Sequence, residues 1–294
     1  MIQPTTEPVP AMRMVGDAKA VHKPRLVIRP VSGWQTLDLV ELWHFRSLFW
    51  TLGDRDLKLR YRQTLLGVIW VVLQPLLAAA IFAVVFGKVA KLPSDGIPYF
   101  IFSYAGLLAW NAFNGILGRA STSLVSNAQM VSKVFFPRLV LPLATLVSNG
   151  VDFLVGLVLL FFLLPFYQIH VTTALLWLPV WTLLVSMLAM GLGLLAAALT
   201  VSYRDVQYVL PVVTQFLLYA SPVAYSLSAV PSAYQVFFMV NPLSGLLEAF
   251  RWSLLGTASL PLNYVAYSAG VSVLVLVVGA YAFRRMELSF ADVI

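Results

Sequence analysis

Cysteine is missing from this chain of 294 residues, which excludes disulfide bonds, thiolate metal sites and cysteine nucleophiles. Histidine is scarce as well. The three that occur, His22, His44 and His170, are scattered along the sequence and form no ligand cluster. We therefore expect no metal site and no cofactor on this chain.

Charge is the second shortage. Charged residues make up 11% of the chain and apolar residues 60%, whereas a soluble domain carries about 25% charged residues. So few charges cannot cover a water-exposed surface of this size, and much of the surface must face lipid. The first thirty residues contain no long apolar run, so we expect no cleavable signal peptide.

Catalytic motifs are the third absence. The sequence has no Gly-x-x-x-x-Gly-Lys phosphate loop, no paired acids on a loop and no nucleophile beside a base. A proton-driven carrier needs a row of acidic or histidine residues inside its spans, and only Asp152 interrupts one here. We expect that the chain is not an enzyme and that any transport energy comes from a partner.

Six largely uncharged stretches have the roughly 20 residues that a helix needs to cross a bilayer. They are 65–86, 98–118, 139–164, 172–201, 206–227 and 264–283. Residues 228–262 are apolar but are broken by prolines, so we predict re-entrant or interfacial helices there. The predicted fold class is all-α integral membrane, with a six-helix transmembrane domain at 65–294.

Two segments precede these spans. Residues 1–35 are rich in proline and lack hydrophobic periodicity, which predicts a flexible cytoplasmic tail. Residues 36–64 combine an amphipathic, aromatic-rich helix with a basic connector, a pattern typical of a helix lying in the membrane interface. A soluble helix packed on a partner would show the same pattern.

The positive charges predict the orientation. Sixteen of the 19 Lys and Arg residues fall on one side of the predicted spans. The three exceptions are Lys88, Lys91 and Arg251. Cytoplasmic segments carry the excess of Lys and Arg, so both termini are predicted to be cytoplasmic. This topology signal accounts for the net charge of +7, and we expect no nucleic-acid partner.

Four motifs occur in an order that resembles a known family. They are DRDLKLRYR at 54–62 with Gln74–Pro75, NAQMVSKVFFPR at 127–138, YRDV at 203–206, and SPV at 221–223 with NPL at 241–243. Together they resemble the ABC-2 type polysaccharide exporter permeases, Wzm-like proteins that transport O-antigen, capsular polysaccharide or teichoic acid. The resemblance covers roughly residues 35–290 and identifies the family but not the cargo.

The resemblance implies an assembly in the bacterial inner membrane. The assembly would contain a second copy of the chain and two copies of an ABC ATPase, which binds ATP and Mg²⁺. Membrane lipids would surround it. An undecaprenyl-pyrophosphate-linked glycan, most simply O-antigen, would pass between the two copies. A drug or lipid permease, a carrier without an ATPase and a multi-pass enzyme are the alternatives, and an enzyme would need acidic or histidine clusters that the loops lack.

Two groups of polar residues are predicted to act on the cytoplasmic side. A short surface helix in segment 119–138 is predicted to transmit ATPase closure through Asn127, Gln129, Lys133 and Arg138, unless the segment is an ordinary solvated loop. A second group could guide a pyrophosphate headgroup, which needs cationic donors: Arg55, Lys58, Arg60 and Arg62. Orientation of the chain or binding of anionic lipid explains this second group equally well.

Three further predictions concern the membrane interior and the outer face. Aromatic rings present flat apolar faces to sugars. Some of the following four residues are therefore predicted to line the glycan channel: Tyr99, Tyr104, Trp110 and Tyr225. An interfacial belt of aromatic residues is the competing explanation. Asp152 is predicted to find a structural partner within the membrane, with contact to the cargo as the alternative. Glu248 and Arg251, three residues apart, are predicted to pair as a structural lock or gate.

Overall fold

All the regular secondary structure that the chain adopts in the described residues is helical. The computed structural model describes residues 39–62, 67–257, 260, 262–287 and 290. The predicted tail at 1–35 lies outside these residues. The all-α class predicted from the sequence is confirmed for the described part of the chain.

Eleven α-helices, numbered in chain order, make up most of this part. They are α1 (Leu39–His44), α2 (Arg46–Arg62), α3 (Gly67–Phe82), α4 (Tyr99–Ser126), α5 (Ala128–Lys133), α6 (Val140–Phe166), α7 (Leu178–Ser202), α8 (Val206–Ala220), α9 (Ser232–Val240), α10 (Pro242–Leu255) and α11 (Leu262–Glu287). A π-helical turn (Ala83–Val89) extends α3, and 3₁₀ turns occur at Thr173–Trp177 and Leu227–Ala229.

Five helical stretches of the described chain are long and apolar enough to cross a membrane. They are Ile69–Val89, Tyr99–Ser126, Val140–Phe166, Thr173–Ser202 and Leu262–Glu287. They correspond to five of the six predicted spans, and the chain is a multi-pass membrane protein.

The remaining predicted span, 206–227, is not a single spanning helix, so six spans are not confirmed. Its helix α8 has 15 residues and is about 22 Å long at 1.5 Å per residue, short of the roughly 30 Å of hydrocarbon. The helix ends because Ser221 is extended, as residues that precede a proline generally are.

The described segment 230–257 contains two short helices, α9 and α10, neither long enough to span. Pro231 precedes α9, and Pro242 begins α10, where the Asn241 side chain accepts a hydrogen bond from the Leu243 N–H at 3.1 Å. Gly256, with φ of 67°, ends α10 in the left-handed conformation that glycine favours. The breaks fall where the prolines predict them, and a dip into the membrane stays a prediction.

Helices α2 and α4 both extend further than the sequence predicts. The charged run at 54–62 is helical and continues α2, which approaches α6 so closely that a Cβ on Gly53 would lie 2.6 Å from the Val147 Cβ. Helix α4 continues eight residues past the predicted end at 118. Arg119 therefore lies in a helix and not in a polar loop.

The centre of the bundle is built from α4, α7 and α11. Helices α4 and α7 are buried over most of their length, whereas α3 has one buried residue, Ala79, among those described, and most of the others are half-buried. The backbones of α7 and α11 touch: a Cβ on Gly279 would lie 2.2 Å from the carbonyl oxygen of Gly191. Small residues allow such close packing between membrane helices, where dispersion forces drive association.

Replacing Gly279 by Leu should therefore destabilise the bundle, because the new side chain would meet the backbone of α7. We expect a loss of about 1–3 kcal/mol or more, as for other overpacked sites, read as a lower melting temperature of the purified protein. Gly270→Leu on the same helix is the matched control, since a Cβ there meets open space. Equal melting temperatures for the two variants would contradict the packing described.

Candidate functional site

The short helix α5 connects α4 to α6 at what we call the basic end of the molecule, the end that carries α5, Arg284 and Arg285. The short surface helix predicted in segment 119–138 is therefore present. Val131 is buried and anchors it, while Gln129 and Lys133 are exposed. Phe135, just after the helix, is 71% exposed. The outward side of α5 thus offers polar, basic and aromatic groups to a partner.

Asn127, at the start of α5, fastens this helix to α2. Its side-chain oxygen accepts a hydrogen bond from Arg55 Nη2 at 2.8 Å, and its side-chain nitrogen donates to the Ser123 carbonyl at 2.8 Å. Arg55 also pairs with Asp56 at 3.0 Å. Two residues for which the sequence predicts different roles, coupling and headgroup binding, are therefore bonded to each other.

Arg138 fastens the far side of the same segment to the end of α11. Its backbone N–H donates to Glu287 Oε1 at 3.1 Å, and its Nη1 donates to the Glu287 carbonyl at 2.5 Å. Arg284 pairs with Glu287 at 2.8 Å and with Glu41 of α1 at 3.4 Å. The segment that contains α5 is thus tied to α2 on one side and to α1 and α11 on the other.

The cationic group on α2 is only partly described. Lys58 pairs with Asp54 at 2.5 Å, and its side chain is 71% exposed, so the pair contributes little to stability. The side chains of Arg60 and Arg62 lie outside the described residues. The headgroup role of these four cations stays a prediction.

Asp152 has a partner inside the bundle, as its position required. Arg119 Nη2 donates to Asp152 Oδ2 at 2.5 Å, and Arg119 Nη1 donates to Ser148 Oγ at 3.0 Å. Asp152 lies about 18 Å along α6 from its first residue, and Arg119 lies about 10 Å from the last residue of α4. The long arginine side chain therefore reaches inward to the carboxylate.

Two polar cavities meet at this ion pair. The inner cavity, of about 280 Å³, lies between α3, α4 and α6 and is lined by Gln74, Asn111, Asn114 and Asn149 as well as the ion pair. The basic-end cavity, of about 320 Å³, lies between α2, α4 and α6. Arg119 lines both cavities.

The inner cavity is absent from the sequence predictions, although a signal for it exists. Polar or glycine residues recur at positions 111, 114, 115, 118 and 122, the spacing of one helix face. A count of hydrophobic residues does not register this face, because the rest of α4 is strongly apolar.

The opposite end of the molecule, which we define by segments 90–98 and 221–256, contains a fully buried arginine. Arg251 Nη2 donates to Glu248 Oε1 at 2.9 Å and to the Pro222 carbonyl at 2.6 Å, and Nη1 donates to the Tyr225 carbonyl at 3.3 Å. Its guanidinium lies 4.3 Å from the centre of the Phe102 ring. The predicted contact between Glu248 and Arg251 is present, and its role as a lock or gate stays a prediction.

Asp95 holds the same loop from the other side. Its carboxylate accepts hydrogen bonds from Ser226 Oγ at 2.5 Å and from Ser228 Oγ at 2.8 Å. Asp95 adopts a positive φ of 52°, a conformation that aspartate tolerates better than most residues. The loop after α8 is therefore fixed by polar contacts from two separate parts of the chain.

Two of the four aromatic residues predicted to line a channel are packed inside the bundle. Tyr104 is 1% exposed and Trp110 is 4% exposed. The Tyr104 hydroxyl donates to the Gly156 carbonyl at 3.0 Å. Hydropathy does not distinguish a ring between helices from a ring on a pathway. Both rings therefore lie between helices of one copy, and their role in a channel stays a prediction.

The other two aromatic residues are half-buried at the opposite end. The Tyr99 hydroxyl donates to the Ala224 carbonyl at 2.5 Å, and the Tyr225 hydroxyl donates to the Tyr219 carbonyl at 2.8 Å. Their channel role stays a prediction. No group of three or more His, Asp or Glu side chains that could hold a metal ion occurs in the described part of the chain.

Arg251→Met should unfold more readily than the wild type, because it leaves two backbone carbonyls without their donor and removes the charged partner of Glu248, which keeps only the Leu227 N–H. Loss of one partner of a buried ion pair costs about 3–5 kcal/mol, whereas loss of both costs much less. Thermal unfolding of purified protein should therefore rank Arg251→Met below the double variant Arg251→Met with Glu248→Met. Arg285→Met, at an exposed site, is the control. A single variant that melts with the wild type would refute this account.

Comparison with known proteins identifies the family. Residues 47–255 match the ABC-2 type transporter family. The chain is 29% identical to the O-antigen export system permease protein RfbA of Myxococcus xanthus, covering 86% of this chain and 97% of that protein. It is 26% identical to RfbA of Klebsiella pneumoniae over 84% and 95% of the two chains.

A third relative is named for a different polysaccharide. The chain is 24% identical to the polysialic acid transport protein KpsM of Escherichia coli, over 79% of this chain and 91% of that protein. These relatives confirm the resemblance to the polysaccharide export permeases. Because the match extends over more than half of its length, the chain belongs to the ABC-2 type transporter family.

Proposed function

We propose that the chain is the membrane subunit of an ATP-driven exporter that moves a lipid-linked polysaccharide, O-antigen, out of the cytoplasm. The observation that carries this proposal is the match to two O-antigen export permeases along nearly their whole length. The match to the polysialic acid transport protein favours a capsular polysaccharide as the second candidate. The chain itself carries no phosphate loop, so the ATP and Mg²⁺ belong to a separate ATPase.

The basic end is proposed to lie in the cytoplasm of a bacterial inner membrane, since cytoplasmic segments carry the excess of Lys and Arg. Helix α8 starts next to the end of α7 at the basic end. Tyr99 contacts Ala224 at the opposite end, so the chain traverses the molecule between 206 and 224. This supports a sixth crossing made of α8 and the loop after it, with α9 and α10 as the proposed re-entrant helices.

A second copy is proposed to pack against α3 and α8, which have the fewest buried residues among the described helices of 15 or more residues. Trp70 on α3 and Phe216 on α8 are 52% and 73% exposed. Both helices contribute few buried residues to the bundle of one copy. The glycan would pass between the two copies, and membrane lipid would cover the remaining apolar surface.

The ATPase is proposed to dock on α5. Exposed Gln129 and Lys133 supply direct contacts, while Asn127 and Arg138 connect α5 to the rest of the molecule. A push on α5 would reach α2 through Arg55 and reach α1 and α11 through Glu287. This refines the coupling prediction, because two of its four residues act as internal links.

The undecaprenyl pyrophosphate headgroup is proposed to enter along α2. Arg55 lines the basic-end cavity together with Arg119, and phosphate oxygens bind arginine as strong, often bidentate acceptors. Lys58 lies one turn away on the exposed side of α2. Arg60 and Arg62 belong to the proposal from their place in the sequence.

The function is tested by deleting the gene for the chain and restoring it. We expect the deletion strain to lose surface polysaccharide and to accumulate lipid-linked polymer inside, and the restored chain to reverse both. The purified permease should bring an ATPase with it whose activity rises with the lipid-linked glycan. A deletion that leaves surface polysaccharide unchanged would refute the proposal.

Asn127→Ala should uncouple the ATPase from the permease, because it removes the acceptor that joins α5 to Arg55. A hydrogen bond to a charged group contributes about 1.5–3 kcal/mol, so we expect the glycan-dependent rise in ATPase activity to fall about tenfold. Ser126→Ala is the matched control, since that hydroxyl makes no hydrogen bond within the described residues. A wild-type response from Asn127→Ala, measured in proteoliposomes, would contradict the linkage.

A further inference from the structure

Helix α4 presents an unusual surface wherever it is not buried. From Ile101 onward its partly or fully exposed positions are Asn111, Asn114, Gly115, Gly118, Arg119, Thr122, Val125 and Ser126. Only one of these eight carries an apolar side chain. Helices α3 and α8, in contrast, expose residues such as Ile69 and Val212, as lipid-facing helices do. The open face of α4 therefore looks toward a polar medium or ligand.

The two asparagines on this face lie at the middle of α4. Helix α4 has 28 residues and is about 42 Å long, and Asn111 and Asn114 flank its midpoint. They are three residues apart and so share one side of the helix. Whatever contacts them does so midway along a helix that is long enough to cross the membrane.

The side-chain amides in the inner cavity have unused hydrogen-bonding capacity. Those of Gln74, Asn111 and Asn114 make no hydrogen bond to any residue in the described part of the chain. Each amide offers two donors and two acceptor lone pairs. Unpartnered groups of this kind are strongly disfavoured in hydrocarbon, so water or a polar ligand must occupy the cavity.

The backbone adds an acceptor to the same cavity. Pro75 has no N–H, so the carbonyl of Val71, four residues earlier in α3, loses its usual helical donor. Val71 and Pro75 both line the cavity. In contrast, Asn149 has a partner within the fold, because its amide donates to the Ala112 carbonyl at 3.1 Å.

The chemistry of the cavity fits a polyhydroxyl ligand. Hydroxyl groups both donate and accept hydrogen bonds, as do the three free amides, and the Arg119–Asp152 pair offers one donor group and one acceptor group. Phe153 lines the cavity as well and gives an apolar ring face for the C–H groups of a sugar. The volume of about 280 Å³ corresponds to roughly nine waters at about 30 Å³ each, which is room for a hydrated sugar unit.

We propose that the inner cavity, bounded by Gln74, Asn111, Asn114 and the Arg119–Asp152 pair, is a saccharide-binding subsite at mid-membrane for one unit of the transported polymer. This inference rests on the proposed function and deepens it. Water can replace the sugar hydroxyls at similar strength, so the subsite holds each unit weakly and lets the polymer advance.

Leucine substitutions test the subsite through transport. The double variant Asn111→Leu with Asn114→Leu keeps the side-chain volume and removes the amides, so we expect about tenfold less polymer at the cell surface. Asn263→Leu, at the exposed start of α11, is the control. Unchanged export by the double variant, with normal amounts of folded protein, would overturn the proposal.

Glycine substitutions test it by obstruction. A Cβ on Gly118 meets open space beside the asparagines, and so does a Cβ on Gly270 of α11. Gly118→Leu should therefore fold normally and reduce export about tenfold by narrowing the polar face, whereas Gly270→Leu should export as the wild type does. Equal export by the two leucine variants would overturn the proposal.

Thiol labelling tests hydration without depending on the cargo. The chain has no cysteine, so Asn114→Cys introduces a single thiol. A hydrophilic methanethiosulfonate reagent should modify it at least about tenfold faster than Leu154→Cys, which lies at the middle of α6 and is 57% exposed. Labelling of Asn114→Cys no faster than that of Leu154→Cys would show a dry cavity and overturn the subsite.

The same labelling distinguishes a bound sugar from bound water when the ATPase is inactive and lipid-linked polymer accumulates beside the permease. The polymer should slow the labelling of Asn114→Cys severalfold and leave the labelling of Leu154→Cys unchanged. If the wild type exports the polymer but the labelling of Asn114→Cys is fast and unaffected by it, the saccharide assignment alone is overturned. A wild-type chain that exports no polysaccharide would instead refute the proposed function, and the labelling would still report whether the cavity is wet.

Discussion

An arginine and an aspartate meet inside the membrane-spanning part of this protein, and much of its architecture follows from that contact. Ionised groups within a bilayer need a partner and access to water, so Arg119 and Asp152 bring α4 and α6 together. The two helices touch there: a Cβ on Gly115 would lie 2.1 Å from Asn149 Oδ1. The pair also divides the polar space of the bundle into an inner cavity and a basic-end cavity.

Polar contacts restrain both ends of the molecule, and few restrain the helices between them. The Arg55–Asn127 and Arg138–Glu287 contacts fix the basic end, and Arg251 fixes the opposite end. Of the described helices with 15 or more residues, α3 and α8 have the fewest buried residues. If a push on α5 rearranges the permease, these two are the long helices that the least burial holds in place, and α3 forms one wall of the inner cavity.

Hydropathy predicts the spanning helices well, because a bilayer demands long apolar stretches and little else in the chain resembles them. It fails where a single residue sets the boundary. Arg119 ended the predicted second span, yet its long side chain finds Asp152 and the helix continues. Pro222 lay inside the predicted fifth span, yet the residue before it already leaves the helix. Local spacing predicts the Glu248–Arg251 pair, whereas the partner of Asp152 depends on how two helices pack.

The same kinds of polar groups have opposite roles at two places, and only the hydrogen-bond partners distinguish them. Arg251 is fully buried, with bonds to two carbonyls and a carboxylate, so it stabilises the fold. Asn111 and Asn114 are uncharged, yet no described residue forms a hydrogen bond with their side-chain amides. A membrane protein keeps such groups at mid-bilayer only where something outside the fold satisfies them. Unused hydrogen-bonding capacity, rather than aromatic content or charge, therefore locates the proposed path of a hydrophilic cargo.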